Sequence, residues 1–200
     1  MAFRIEVYPY TKEELISDVA AKTPEVIKKG VETNVFETPA KGLARELKPK
    51  DIYDFFNGKT GVTLALANNY EWKWTWSGAT AGSEVTLIEV PASVLRDWTR
   101  SCVMWYLVLY QPTDDIAELR FYKQNNIGVT VNFDFFDIFN TSMIRFKPEV
   151  WYDRTETSMK ITAVVRSADG TVRFALGGLV SLPIGESGEP NPLVISTAKV

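Results

Sequence analysis

From Gly61 onward the chain is a succession of short β-prone segments, each closed by a turn signal, and this pattern most limits what it can fold into. Residues 62–67, 70–76, 84–90, 102–110, 116–123, 127–139, 159–166 and 171–176 are rich in β-branched and aromatic side chains. Asn68-Asn69, the Gly- and Ser-bearing stretch 77–83, residues 111–115 and Gln124-Asn125-Asn126 punctuate them. Strands at this spacing predict a β-sandwich or a barrel. Their irregular lengths and long connections favour a sandwich of the Greek-key or jelly-roll type. The expected fold is therefore mainly β, a single sandwich over residues 61–200, with a last β-prone segment at 193–200 after the polar loop 185–192.

The first sixty residues read differently. Residues 3–8 alternate as a strand with Phe3, Ile5 and Val7 on one face, and Pro9 ends it. Thr11-Lys12-Glu13-Glu14 is a capping box that opens a helix with Leu15, Ile16 and Val19 as its apolar stripe. Thr23-Pro24 predicts a second helix start and Gly30 a stop; residues 31–48 read as loop. Residues 49–56 predict a third helix carrying Ile52, Phe55 and Phe56. Residues 1–60 are thus expected to be a strand and short helices packed on the main domain.

Four local signals carry specific expectations. Residues 102–109 are apolar throughout, a strand covered on both faces. Asp169-Gly170 between two β-prone segments predicts a type I′ hairpin, which would set Arg166 opposite Arg173. Facing guanidinium groups repel, so a carboxylate, an anion or a partner subunit is expected beside them. Gly177-Gly178 reads as a strand break, and the Phe135-Phe136 doublet as a bulge or the end of pairing.

Composition bounds function. The net charge is −3, and residues 1–60 hold ten basic and ten acidic side chains, so there is no basic arm for sequence-independent phosphate binding. The absence of histidine removes the common general base and histidine-based metal sites. Cys102, the single cysteine, lies in an apolar run and reads as a buried inert thiol. No phosphate-cradling or dinucleotide-binding glycine motif occurs. Carboxylate pairs remain as a catalytic alternative, drawn from Asp134, Asp137, Glu71, Glu84, Glu89 and Glu118. No apolar run approaches the roughly 20 residues of a membrane span, and no secretory leader is read at the N-terminus.

Residues 70–76 are the sharpest compositional feature. Tyr70, Trp72, Trp74 and Trp76 alternate with Glu71, Lys73 and Thr75, so the tryptophans share one face of a strand. That face covers the core, meets another subunit, or offers a flat platform for sugars or bases.

With no catalytic, cofactor or metal residue assigned, the expected function is a non-enzymatic structural subunit that self-assembles, a viral capsid or other virion protein with a jelly-roll-like fold. Its expected partners are copies of itself and other virion proteins, and its expected location is the virion, after synthesis in a host cytoplasm, or otherwise the cytoplasm. The alternative is a carbohydrate-binding module using the tryptophan stripe. The candidate ligand or interface residues are Trp72, Trp74, Trp76, Arg166 and Arg173.

Overall fold

The computed structural model of the chain describes residues 6–185. The chain forms two five-stranded antiparallel sheets and a short ribbon. In the first sheet β1 (Glu6–Pro9), β9 (Met143–Tyr152), β6 (Ser101–Leu109), β12 (Phe174–Pro183) and β2 (Gly42–Glu46) lie side by side in that order. The second runs β3 (Thr63–Leu64), β5 (Glu84–Pro91), β10 (Ser158–Val165), β7 (Ile116–Lys123), β8 (Asn126–Asn132). The ribbon pairs β4 (Trp74–Trp76) with β11 (Gly170–Val172). β1 and β2, both from the first sixty residues, are the edge strands of the first sheet.

Period-two alternation aims one row of each sheet at a common core. Cys102, Met104, Phe146 and Val180 of the first sheet share an apolar cluster with Leu119, Phe121, Val131 and Ile161 of the second. The two sheets thus pack as a sandwich-like pair. α2 (Pro49–Phe56) adds Ile52 and Phe56 to this core, with the Phe56 ring 5.3 Å from that of Trp98. Burial pushes the Cys102 thiol pKa far up, with the nearby Asp51 charge adding to the effect, so the thiol stays protonated and inert.

The first sheet is covered on its outer face as well, which is why residues 101–107 are buried without alternation. α1 (Lys12–Glu32) lies there, packing Leu15, Val19 and Val26 against Val103, Trp105 and Tyr106. A bulge after Met104 brings Trp105 and Tyr106 to that same face. Polar contacts hold the helix in place. Trp105 donates to the Tyr10 hydroxyl (2.8 Å), which donates to Asp18 (2.6 Å), while Arg145 and Glu149 pair with Asp18 and Lys22 at 2.9 and 3.0 Å.

Several local expectations are corrected. The Thr11–Glu14 capping box forms, but Thr23-Pro24 does not start a second helix: Pro24 lies inside one 21-residue helix, and the Thr23 hydroxyl donates to the Val19 carbonyl at 2.7 Å. Gly30 does not stop it; the Phe36 ring lies where a Cβ at Gly30 would stand. The stretch 31–48 holds β2, and β9 was not anticipated at all. Residues 127–139 divide into β8 and the short helix α3 (Asp134–Ile138), so pairing ends before the Phe135-Phe136 doublet.

The Asp169-Gly170 hairpin is also absent. β10 pairs with β5 and β7, and Gly170 opens β11 opposite Trp76. Gly170 is needed for space, since a Cβ there would stand 2.0 Å from the Trp76 ring. The two-residue turn with both φ angles positive is at Gln124 (50°) and Asn125 (65°), joining β7 to β8. Gly177-Gly178 does not break its strand either. It lies inside β12 at a bulge where β6 comes so close that a Cβ on Gly178 would stand 1.9 Å from the Val103 carbonyl oxygen. The C-terminal segment 193–200 lies outside the described residues, as does most of the loop before it.

Candidate functional site

The tryptophan row does not lie on one regular strand. Only Trp74–Trp76 is β structure, and Tyr70 is exposed at the start of an irregular stretch. Trp74 is wholly buried between Trp72 and Phe174, with ring centroids at 6.0 and 5.4 Å, and its indole donates to the Phe174 carbonyl at 2.9 Å. Trp72 is 8% exposed. Neither ring offers a free face to a ligand. Trp76 is half-buried, and its indole donates to the Ser167 carbonyl at 3.2 Å.

Arg166 and Arg173 are not opposed, because the hairpin that would oppose them does not form. Arg166 pairs with Asp134 at 2.6 Å and Arg173 with Glu71 at 3.3 Å. Both pairs are exposed and are worth well under about 1 kcal/mol each. The structure therefore separates the five residues into core (Trp72, Trp74), a groove wall (Trp76) and two solvated ion pairs.

Trp76 brings the groove into view. β3 follows β5 only briefly: the Ala65 amide donates to the Leu87 carbonyl (2.8 Å), and the Ala65 carbonyl then accepts from Thr75 (3.0 Å) as the chain turns toward β4. The start of β5 thus loses its neighbour on that side, leaving an open groove of about 570 Å³ between β4 with the loop after it and β5. Thr75, Trp76, Thr80, Ser83, Glu84 and Thr86 line it.

Glu84 joins the groove to the outer face of the second sheet. Alternation puts Glu118, Arg120 and Tyr122 of β7 on that face, beside Lys160 and Thr162 of β10. Glu84 accepts from the hydroxyls of Thr162 and Tyr122, each at 2.5 Å, and from Arg120 at 2.6 Å. Arg120 also pairs with Glu118. Partial burial pulls the Glu84 carboxyl up, but the hydrogen bonds from Thr162, Tyr122 and Arg120 outweigh it and hold the group below the ordinary glutamate value. The same bond to Glu84 pushes the Tyr122 phenol up. Glu84 is ionised and Tyr122 protonated at neutral pH, so the cluster is a fixed acceptor rather than a proton relay. Glu84 and Glu118 were legible as carboxylates in strands; the arginine that joins them was not singled out, although the Glu118-Arg120-Tyr122 alternation carries that signal.

These shifts set a pH dependence. A carboxyl whose folded-state pKa lies below its unfolded value stabilises the fold above the unfolded value, near 4.5, and loses that contribution as pH falls through the folded value. Wild-type melting temperature is expected to drop from about pH 5 downward, and Glu84→Gln to flatten part of that drop. Thermal melts across acid pH check this; a Glu84→Gln curve parallel to wild type refutes it.

The second candidate feature is the edge strand β8. The Phe133 amide donates to the Ala117 carbonyl at 2.9 Å, and the register sets Leu119 against Val131 and Phe121 against Val129. By antiparallel alternation these residues turn their backbone groups toward β7, while Thr130 and Asn132 turn theirs outward. No described residue pairs with that outer edge. The strand reads Asn-Ile-Gly-Val-Thr-Val-Asn, with no charge and no proline, and Ile127 is 49% exposed. A bulge at Gly128 leaves Val129 to Asn132 as its regular part.

Among the described residues, no three His, Cys, Asp or Glu side chains stand where they could hold a metal ion, and no helix is long and apolar enough to cross a membrane. The chain matches no protein-family model, no curated protein and no solved structure.

Proposed function

We propose that this chain is a structural subunit that assembles with copies of itself, as a viral capsid or other virion protein of jelly-roll-like build. The observation that carries the reading is the outer edge of β8. Unpaired backbone donors and acceptors on a charge-free strand are a template for another strand, and proteins that stay apart guard such edges with charges or proline. Two copies meeting edge to edge about a two-fold axis would form an antiparallel ladder with no like-charge repulsion. The interleaving of the two sheets supports the jelly-roll-like description: β5, β6 and β7 alternate between them, as do β8, β9 and β10.

Native mass, by sedimentation or mass photometry, tests the reading. Wild type is expected as a closed multimer. Thr130→Pro removes an outward amide without touching the ladder to β7 and is expected to give a folded protein of lower mass. Wild type that is monomeric at every concentration overturns the proposal, and so does a Thr130→Pro protein that assembles as wild type does.

A further inference from the structure

We infer that the groove between β4 and β5 is a binding site for a neutral, hydroxyl-rich chain, a linear oligosaccharide. Its volume of about 570 Å³ suits a few sugar rings, and it is open, so a chain can pass through. Thr75, Thr80, Ser83 and Thr86 line it, and their hydroxyls make no hydrogen bond to a described residue. A hydroxyl both donates and accepts, so a row of them matches a ligand whose own groups do the same.

Two further features select this ligand class. The Trp76 indole is held in place by its bond to Ser167 and by close packing over Gly170, so a rigid apolar ring borders the groove at no ordering cost. An apolar ring beside hydroxyls is what a pyranose needs, with its C–H face on one side and its hydroxyls around the rim. Glu84 stands at the other wall as an ionised carboxylate locked by Arg120, Tyr122 and Thr162. A fixed anion accepts strongly from a ligand hydroxyl and repels an anionic ligand. The site differs from the tryptophan row anticipated from sequence, because Trp72 and Trp74 are buried in the core.

Titration calorimetry with cellohexaose, maltohexaose and chitohexaose, and with a heparin-derived hexasaccharide as the anionic probe, tests the inference. At least one neutral probe is expected to bind with Kd on the order of 0.1–1 mM, and the heparin fragment not to bind. Because Trp76→Ala removes packing over Gly170, the deciding variant is Ser83→Ala with Thr86→Val, which is expected to keep the wild-type melting temperature and weaken binding at least about tenfold. Failure of all three neutral probes, preference for the heparin fragment, or full binding by the folded double variant overturns the proposal. The measurement is independent of assembly: a monomer that binds a neutral probe refutes the structural-subunit reading alone, and a multimer that binds none refutes this one alone.

Discussion

Trp74→Ala is expected to cost about 3–5 kcal/mol, in the range of aromatic-to-alanine changes in well-packed cores. The side chain is fully buried, stacks between Trp72 and Phe174, and makes its hydrogen bond to a residue 100 positions away. Its removal opens a cavity where the β4 ribbon meets β12 and leaves the Phe174 carbonyl without the indole donor. Domains of this kind are stable by only about 5–15 kcal/mol, so the loss is a large share of the whole. It should lower the melting temperature by about 6–20 °C. Trp74→Phe separates the two contributions: a stacked ring remains while the hydrogen bond goes, and the cost should fall to about 1–3 kcal/mol. An unchanged melting temperature for Trp74→Ala would mean that the ring does not support the core.

Asp51→Ala is expected to destabilise by a comparable amount, about 3–5 kcal/mol, for a different reason. Asp51 is the third residue of α2 and has no exposed surface. Arg45 of β2 binds its carboxylate through its two terminal guanidinium nitrogens at 2.7 and 2.8 Å, and Arg100 Nε lies 3.2 Å away, just before β6. The Lys48 amide donates to the same carboxylate at 2.8 Å, which caps the helix. The two arginine side chains are only 13% and 15% exposed. Deleting the carboxylate leaves two nearly buried cations facing each other with no counter-charge. Replacing the whole group by Arg45→Met, Asp51→Leu and Arg100→Met removes both charges as well, so that triple variant should recover much of the loss in denaturant melts. A single Asp51→Ala variant as stable as wild type would show that the cluster contributes nothing.

The sandwich-like pairing of the sheets depends on contacts far apart in the chain, yet much of its local structure was legible. The capping box at Thr11 and Glu14, the helix opened by Pro49, and the β-prone segments of β7 and β10 each arise within a few residues, where backbone conformation and side-chain type decide the outcome. The Asp169-Gly170 hairpin failed for the opposite reason. The signal is local, but β10 finds more partners between β5 and β7, and Gly170 is used to admit the Trp76 ring. β9 escaped notice because Arg145, Lys147, Pro148 and Glu149 interrupt its apolar residues. The sheet tolerates this: the pairing of β9 with β6 passes from Val150 to Arg145, skipping the proline.

The same division holds for the sites. A period of two was enough to set Trp72, Trp74 and Trp76 apart from Glu71, Lys73 and Thr75, and the β-prone segments were enough to place Glu84 and Glu118 in strands. Neither could say which side is covered, because cover comes from elements distant in sequence. Phe174 closes over Trp74 and α1 over Trp105, while Trp76 is left half-buried. Glu84 owes its lowered carboxyl pKa to side chains 36, 38 and 78 positions away. Alternation and turn chemistry are properties of neighbouring residues, and the sequence alone determined those. Burial and charge state are properties of whatever packs against them, and only the tertiary structure decided that Trp74 is core while Trp76 and Glu84 border an open groove.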